Sequence, residues 1–206
     1  MNDWLPSLLR CPDCRGELSF EGLDARCAAC ARAYPAHDGG VELIGDKSVL
    51  DASEIETQDR VSDHYEQARY KHAFSRAYHE KTLDQLIDIV PPRGTVLDDG
   101  CGNGVFLDYL EGKARRGEIS PIERYVGVDI SRGMLGHARR RLGDRPSAAV
   151  LRADATRLPF ADATFDVVYA RGLLHHLSDP SLGAREAARV PVSYTHLDVY
   201  KRQRRS

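Results

Sequence analysis

The chain has 206 residues, with 29 Lys and Arg residues, 31 Asp and Glu residues and a formal net charge of −2. This balance gives no electrostatic reason to expect a nucleic-acid or membrane partner, because phosphate-rich surfaces attract an excess of basic residues. No apolar leader precedes Cys11 and no apolar run reaches membrane-spanning length, which argues against export and insertion. We therefore expect a cytoplasmic protein.

Two cysteine pairs open the chain. Cys11 and Cys14 form one C-x2-C pair, and Cys27 and Cys30 form a second after twelve intervening residues. Four thiolates in two such pairs match a closed tetrahedral zinc site and imply a reducing compartment, with a redox dithiol as the minor alternative. The pattern predicts a zinc ribbon over residues 1–45. This segment is too short to bury a core of its own, so we expect it to be unfolded without its metal.

The ribbon resembles the small zinc-ribbon family whose free-standing members activate nucleic-acid and protein methyltransferases. Beyond the cysteines, the resemblance rests on Leu8-Leu9 and on the stretch 34–39, which reads Y-P-A-H-D-G. The ribosomal-RNA guanine-N1 methyltransferases also begin with a ribbon, but their fourth ligand is usually a histidine after a longer gap, and Cys30 departs from that. The acidic balance of the ribbon favours a small-molecule acceptor, or a structural or docking role, over RNA. Its charges are Arg10, Arg15, Arg26 and Arg32 against Asp3, Asp13, Glu17, Glu21, Asp24, Asp38 and Glu42.

A helical linker and cap is predicted over residues 46–92. Apolar residues recur at helical spacing from Ser53 to Val90, before the sequence P-P-R-G at 91–94 ends the pattern. The stripe consists of Tyr70, Phe74, Tyr78, Leu83, Leu86, Ile87 and Val90. Packing against the core is the expected role of this stripe, and lining an acceptor pocket is the alternative.

The sequence V-L-D-D-G-C-G-N-G occupies residues 96–104. Its apolar start predicts a buried parallel strand, and its alternating glycines allow a sharp turn and a close approach to a ligand. A helix is predicted over 105–116. A second strand, predicted over 125–130, contains Asp129 at its end, where an acid accepts hydrogen bonds from a ribose diol.

A dinucleotide-binding fold shares this arrangement of strand, turn and acid. Its fingerprint needs glycine at the first, third and sixth positions, but the sixth position counted from Gly100 is Val105. Instead, Asp98 precedes the glycines and gives D-x-G-x-G-x-G. A carboxylate at this point would repel a pyrophosphate and would suit a cationic sulfonium ligand that carries an α-amino group.

This turn resembles the first signature of class I S-adenosylmethionine-dependent methyltransferases, and three further signatures follow in order. Residues 127–134 resemble the family's ribose-binding strand end. Residues 153–160 resemble the third signature, in which an acid faces the adenine amino group and the next residue lends a backbone N–H. Residues 165–177 resemble the fourth strand and the cleft-lining segment after it. The resemblance implies a Rossmann-like α/β methyltransferase domain over 93–190 that binds S-adenosylmethionine.

The resemblance also implies where each part of the cofactor lies. The glycine turn with Asp98 would hold the amino-acid portion, Asp129 the ribose, and Asp154 with Ala155 the adenine. The predicted cofactor-binding residues are Asp98, Gly100, Cys101, Gly102, Asp129, Ile130, Met134, Asp154, Ala155 and Arg171. An alternative for Asp154 is the N-cap of a helix.

Several residues near these signatures carry no assigned chemistry. Asp99 stands where the family more often has a small apolar residue, and it is expected to add charge near the site. Cys101 is expected to be a small buried filler. His175 and His176 are adjacent and cannot both face a cleft, so packing or exposure is the default for each, and no catalytic base is assigned. The segment after the fourth strand lacks the pattern N/D-P-P-Y/F, so base or amide N-methylation of that type is not indicated.

The sequence thus predicts a methyltransferase with an unidentified, small-molecule acceptor. The alternatives are a ribosomal-RNA guanine methyltransferase and a non-catalytic cofactor-binding or adaptor module.

Residues 192–203 can be encoded by DNA that resembles two head-to-head transposon mosaic ends of sequencing libraries. Residues 191–206 are therefore interpreted as a non-native tail, with a genuine strand and basic tail as the alternative. On this interpretation the domain is truncated after its fourth strand. We then expect an open, apolar edge strand and a poorly soluble or inactive chain.

Overall fold

A computed structural model describes residues 2–48, 51–65 and 71–192. The N-terminal part contains a short helix and a three-stranded antiparallel sheet in the order β1-β2-β3. These elements are α1 (Leu5–Leu8), β1 (Leu18–Glu21), β2 (Asp24–Cys27) and β3 (Ala33–Tyr34). No helix in the described ranges is long and apolar enough to cross a membrane.

A five-stranded parallel sheet forms the rest of the framework, in the order β4-β7-β6-β5-β8. Its strands are β4 (Glu42–Leu43), β5 (Thr95–Asp99), β6 (Arg124–Asp129), β7 (Ala148–Ala153) and β8 (Val167–Ala170). The helices are α2 (Ala52–Val61), α3 (Ala73–Ile89), α4 (Val105–Arg115), α5 (Arg132–Leu142) and α6 (Pro180–Arg189), with short 3-10 helices at Ser62–His64 and Leu174–His176. The alternation of parallel strands and helices confirms the predicted Rossmann-like α/β class.

Helices α3, α4 and α5 cover one face of this sheet. Successive residues of a strand point to opposite faces, so Val96, Tyr125 and Val167 share this side. They form one buried cluster with apolar residues of the three helices. The helical members include Leu83, Leu86, Ile87, Phe106, Leu107, Leu110, Leu135, Ala138 and Leu142.

The ribbon and α6 pack against the opposite face. Leu97, Val126, Leu151 and other strand residues on this side form a second buried cluster with ribbon residues. The ribbon members are Leu5, Leu9, Cys11, Ala25, Cys27, Tyr34, Val41 and Leu43. The apolar side chains of the ribbon therefore complete the core of the parallel sheet, which explains how so short a segment buries them.

A charged cluster ties the end of the ribbon to the sheet. Strand β4 pairs with β7, and Glu42 accepts hydrogen bonds from Arg132 at 2.7 and 2.8 Å and from Arg152 at 3.2 Å. Arg152 also donates to the backbone oxygen of Ile130 at 2.8 Å. Glu42 and Leu43 thus belong to the parallel sheet, although they lie within the predicted ribbon.

We expect Glu42→Gln to destabilise the fold at neutral pH and to weaken its acid sensitivity. Burial raises the pKa of Glu42, but Arg132 and Arg152 outweigh burial and lower the pKa below its usual value of 4.5. A lowered folded pKa stabilises the protein above pH about 4.5, and this contribution disappears as the pH falls through the folded pKa. The substitution should cost about 1–3 kcal/mol at pH 7 and less at pH 4, as measured by urea unfolding. Glu123→Gln, at an exposed position, is the control. Equal losses at both pH values would contradict this account.

The helical pattern from Ser53 to Val90 does not form one helix. Helix α2 ends at Val61, and α3 begins after His72, whose backbone is extended (φ −111°, ψ 140°). Residues 66–70, which include Tyr70, lie outside the described ranges. Core packing is confirmed for four residues of the stripe, Leu83, Leu86, Ile87 and Val90. It is not confirmed for Phe74 and Tyr78, which are 81% and 54% exposed. One periodic pattern therefore ran across two separate helices.

The end of the described chain lies beside the edge strand β8. The N–H of Val192 donates to the oxygen of Phe165 at 2.8 Å, and the N–H of Thr164 donates to the oxygen of Val190 at 2.7 Å. The segment just before β8 is thus paired on its outer side, whereas β8 itself is an edge strand of the described sheet, as we expected. Residues 193–206, most of the predicted tail, lie outside the described ranges.

Candidate functional site

A cleft opens where the parallel strands end. Because the carboxyl ends of β5, β6, β7 and β8 meet at one edge, residues far apart in sequence come together there. The cavity measures about 150 Å³. Eight of the ten predicted cofactor-binding residues line it: Gly100, Gly102, Asp129, Ile130, Met134, Asp154, Ala155 and Arg171. The other two, Asp98 and Cys101, lie behind its wall.

The glycine turn forms one side of the cleft. Gly100 and Gly102 have φ values of +79° and +54°, in the left-handed region that favours glycine. A Cβ atom at Gly102 would meet nothing within 4 Å, so the backbone itself faces the open cleft. The N–H of Gly102 donates to Asp129 Oδ2 at 2.8 Å, and the N–H of Ser131 donates to Asp129 Oδ1 at 2.9 Å. These bonds hold the Asp129 carboxylate at the end of β6, where each oxygen can accept a further hydrogen bond.

Asp154 has one bonded and one free carboxylate oxygen. Its Oδ1 accepts from the N–H and the hydroxyl of Thr156 at 2.8 and 2.7 Å, in a local turn. Its Oδ2 is buried and has no partner among the described residues. No helix of the described chain begins at this turn, so the N-cap alternative is wrong. Since a buried acceptor without a donor costs free energy, this oxygen fits a ligand that brings an N–H group.

Asp98 is already paired. It is 0% exposed, accepts from the Tyr125 hydroxyl at 2.7 Å, and has both oxygens 3.3 Å from Arg171 Nη2. The Arg171 guanidinium also lies over the Phe106 ring, 4.0 Å from its centroid. The expected repulsion of a phosphate by Asp98 is therefore largely offset by Arg171, which stands between Asp98 and the cleft.

Asp99 points to the opposite face of the sheet from Asp98. It is fully buried, and neither carboxylate oxygen has a partner in the described part of the chain. Burial, reinforced by the charges of Asp98, Asp129 and Asp154, raises the pKa of Asp99 well above its usual value. Burial of this carboxyl group therefore opposes the charge that we expected Asp99 to add near the site.

Cys101 fills space below the glycine turn. It is 5% exposed, and its Sγ would lie 2.9 Å from a Cβ atom at Gly127, so only glycine fits opposite it. Burial raises the pKa of the Cys101 thiol well above its usual value. A protonated, enclosed thiol is a poor nucleophile, in agreement with the expected packing role.

The four N-terminal cysteines form a compact cluster. The Sγ atoms of Cys11, Cys14, Cys27 and Cys30 all lie within 4.8 Å of one another, with Cys11 to Cys30 at 3.8 Å and Cys14 to Cys27 at 3.4 Å. A tetrahedral zinc ion with Zn–S bonds of about 2.3 Å would place its sulfurs about 3.8 Å apart. A Cβ atom at Gly16 would lie 3.1 Å from Cys27 Sγ and 3.3 Å from Cys14 Sγ, so this glycine gives the sulfurs room. The donor set and its spacing fit zinc.

The first cysteine pair contacts the loop that carries Asp154. Arg157 donates to the backbone oxygen of Pro12 at 3.1 Å, and its own N–H donates to the backbone oxygen of Asp154 at 2.9 Å. The N–H of Arg10 donates to the oxygen of Pro159 at 2.8 Å. The cluster and the cleft are thus joined by a few hydrogen bonds.

Comparison with known proteins identifies the domain that contains the cleft. Residues 97–192 match the family model described as a methyltransferase domain. Residues 97–192 thus form a methyltransferase-type domain. Malonyl-[acyl-carrier protein] O-methyltransferase of Legionella pneumophila is 36% identical over 106 residues, which cover 52% of this chain and 34% of that protein. The 27-O-demethylrifamycin SV methyltransferase of Amycolatopsis mediterranei is 37% identical over 115 residues, covering 53% of this chain and 40% of that enzyme. The matches thus span about a third of the length of these relatives.

Solved structures show the same fold for the methyltransferase domain. The complex between the Haloferax volcanii Trm112 methyltransferase activator and a protein assigned as a methyltransferase contains a chain with 24% identity and a TM-score of 0.50, covering 70% of this chain and 57% of that chain. The [4+2]-cyclase SpnF has 21% identity and a TM-score of 0.52, covering 67% and 56%. A methyltransferase-like fold thus also occurs in a protein named as a cyclase, so the fold alone does not define the reaction.

Two further walls complete the cleft, and one of them, the segment after β8 up to Leu177, was predicted by the resemblance to line it. Helix α2 and the residue before it cover one side, and the segment after β8 covers the other. The additional lining residues are Asp51, Glu54, Ile55, Gln58, Leu173, His176, Leu177 and Ser178. His176 lines the cleft and its Nδ1 lies 2.7 Å from Glu54 Oε1, so the two walls meet at an ion pair when His176 is protonated. The adjacency of two histidines was a signal that one could face a ligand, but nothing in the sequence of α2 marked a binding surface.

Proposed function

We propose that the chain binds S-adenosylmethionine in this cleft and transfers its methyl group to a small-molecule acceptor. This proposal replaces the expectation of an inactive chain, because the strand ends and both walls of the cleft lie within the described residues. The observation that carries the proposal is the pair of strand-end carboxylates. Asp129 offers acceptor positions for a ribose diol, and the unpartnered Asp154 Oδ2 offers one for an exocyclic amino group. Together with the open backbone at Gly102, they line one cavity at the place where this fold binds nucleosides.

The residues of the chain would act mainly by positioning. S-adenosylmethionine, when bound, supplies an activated methyl group on a sulfonium centre. Asp129 and Asp154 would fix the nucleoside, while α2 and Leu173 would enclose the cleft and exclude water. In-line transfer then requires the acceptor to be aligned with the methyl group, and a base only if the acceptor atom carries a proton.

A small-molecule acceptor is supported by the relatives and by charge. The two named relatives are, by their names, an O-methyltransferase acting on a malonyl group and a methyltransferase of demethylrifamycin. The ribbon has more acids than arginines, which disfavours a phosphate-rich RNA substrate. We propose an oxygen atom of a small or carrier-linked acid or alcohol as the acceptor, with ribosomal RNA as the less favoured alternative.

We further propose that the four cysteines hold one structural zinc ion. Four sulfur ligands leave no open coordination position, so the metal would stabilise the fold and take no part in the reaction. The hydrogen bonds from Arg157 and Arg10 would link the metal-bound segment to the loop that carries Asp154.

The transfer proposal is tested with S-adenosylmethionine labelled in its methyl group. Cofactor binding is measured first, because it needs only the described cleft. The zinc-loaded chain is then incubated with carboxylic acids, alcohols, phenols, amines and total RNA. Label in an acid or alcohol is the expected result. Label in RNA alone would overturn the small-molecule assignment, and binding with no transfer to any acceptor would favour the non-catalytic alternative.

His176 is the side chain that we expect to take a proton from the acceptor. It lines the cleft, and its Nδ1 lies 2.7 Å from Glu54 Oε1, a contact that would orient the ring. For an alcohol or phenol acceptor, whose oxygen carries a proton, His176→Asn and Glu54→Gln should lower the rate of transfer, with the histidine substitution costing about 100-fold. A carboxylate acceptor has no such proton, and its transfer should be little affected. The affinity for S-adenosylhomocysteine should change less than the rate. His175→Asn is the matched control, and an equal effect of the two histidine substitutions would exclude this role for His176.

A further inference from the structure

Arg171 lies between the cleft and the buried carboxylate of Asp98. It follows β8 directly, lines the cavity and shields Asp98, which is 0% exposed. Asp98 therefore cannot be reached by a ligand while Arg171 remains in place. A ligand that enters the cleft meets the guanidinium group before it meets the carboxylate.

The guanidinium group of Arg171 contacts Asp98 and Phe106 but still has an N–H group without a hydrogen-bond acceptor within the described ranges. Its Nη2 is shared between the two oxygens of Asp98, and its plane lies over Phe106. Its Nε is buried and has no partner among the residues that the structure describes. An arginine carries five N–H donors in a fixed fork, so this side chain has capacity for a second, negatively charged partner.

The pairing of Asp98 and Arg171 indicates the charge of the missing partner. If the cleft took only a cation near the glycine turn, a free Asp98 would serve best, and Arg171 would oppose binding. A ligand with both an ammonium and a carboxylate group is compatible with a paired arginine, because its carboxylate can bind the guanidinium fork.

We propose that Arg171 binds the α-carboxylate of the cofactor's amino-acid portion, and that Asp98 is a positioning residue that orients Arg171. This inference rests on the proposed binding of S-adenosylmethionine and deepens it, because it assigns one group of the ligand to one side chain. It differs from the expectation drawn from the signature, in which Asp98 itself meets the ligand.

The test compares three ligands by calorimetric titration of the zinc-loaded chain. S-adenosylhomocysteine has the complete amino-acid portion, decarboxylated S-adenosylmethionine keeps the ammonium but lacks the carboxylate, and methylthioadenosine lacks both groups. Arg171→Gln should weaken S-adenosylhomocysteine by about 10- to 100-fold, the range of a charge-assisted bidentate contact. It should leave methylthioadenosine within about twofold, and it should not weaken decarboxylated S-adenosylmethionine, because the freed Asp98 attracts the positive charges of that ligand. Asp98→Asn should show the same ligand pattern with a smaller effect.

The controls separate the possible failures. Arg145→Gln, which removes an arginine paired with Asp108 outside the cleft, should change none of the three affinities. A substitution at Arg171 or Asp98 that weakens all three ligands equally would show a structural role only and would overturn the proposal. A selective loss of decarboxylated S-adenosylmethionine in Asp98→Asn would show that Asp98 binds the ammonium directly, which would also overturn it. If the unmodified chain binds none of the ligands, the proposed function itself is wrong.

Discussion

Replacing Cys11 and Cys27 with serine is expected to unfold the parallel sheet together with the ribbon. Both cysteines are buried in the cluster that joins the ribbon to the strands, so loss of the metal would expose apolar surface of the methyltransferase domain itself. Structural zinc contributes folding free energy directly, and we expect a loss of about 5 kcal/mol or more, comparable with the stability of a whole domain. Zinc content, the urea unfolding transition and S-adenosylhomocysteine affinity should all fall together.

Cys101→Ala is the matched control for this experiment. Cys101 is also a buried cysteine, but it lies below the glycine turn and outside the metal cluster. This variant should retain about one zinc ion per chain and a cooperative unfolding transition. If the double serine variant lost its zinc but kept both its cooperative transition and its cofactor affinity, the ribbon would be an independent appendage and the shared core would have no energetic importance.

Asp154→Asn should remove the preference of the cleft for adenine. The unpartnered Oδ2 is a pure acceptor, whereas one side of an asparagine amide is a donor. We expect S-adenosylhomocysteine affinity to fall by about 10- to 100-fold, since a buried acceptor and a buried donor would each lose a partner. S-inosylhomocysteine carries an oxygen in place of the amino group. It should bind the unmodified chain poorly. It should bind the Asp154→Asn variant at least as tightly as S-adenosylhomocysteine binds that variant.

Calorimetric titration of S-adenosylhomocysteine and S-inosylhomocysteine into the unmodified chain and the Asp154→Asn variant measures this change in relative affinity. Asp108→Asn provides the control, because Asp108 is a paired carboxylate on α4 outside the cleft. The assignment of Asp154 to adenine would be refuted if its substitution weakened the two nucleosides by the same factor.

The sequence was sufficient for the parallel sheet and for the ligand-binding turn. Strand β5, the glycines after it and helix α4 form a local signal, because backbone conformation and hydrophobic pattern coincide within twenty residues or so. The structure brings Gly100, Asp129 and Asp154 to one edge, since parallel strands all end there. The cysteine spacing likewise predicted a compact cluster, because four ligands of one ion must meet at one point.

The interactions that depend on tertiary packing were not accessible in this way. Asp98 carries the signature, yet its burial behind Arg171 depends on how β8 lies beside β5. The pairing of β4 with β7 could not be predicted from a two-residue strand that has no periodicity of its own. The raised pKa of Asp99 depends on burial and on neighbouring carboxylates such as Asp98 and Asp129, so the residue type alone could not predict it.

The central claim is that the carboxylates at the strand ends form an S-adenosylmethionine site, and one titration tests it most directly. S-adenosylhomocysteine and NAD+ are titrated separately into the zinc-loaded chain in a calorimeter. We expect saturable binding of S-adenosylhomocysteine at one site per chain and no binding of NAD+. Saturable binding of NAD+ together with no heat from S-adenosylhomocysteine would contradict the account.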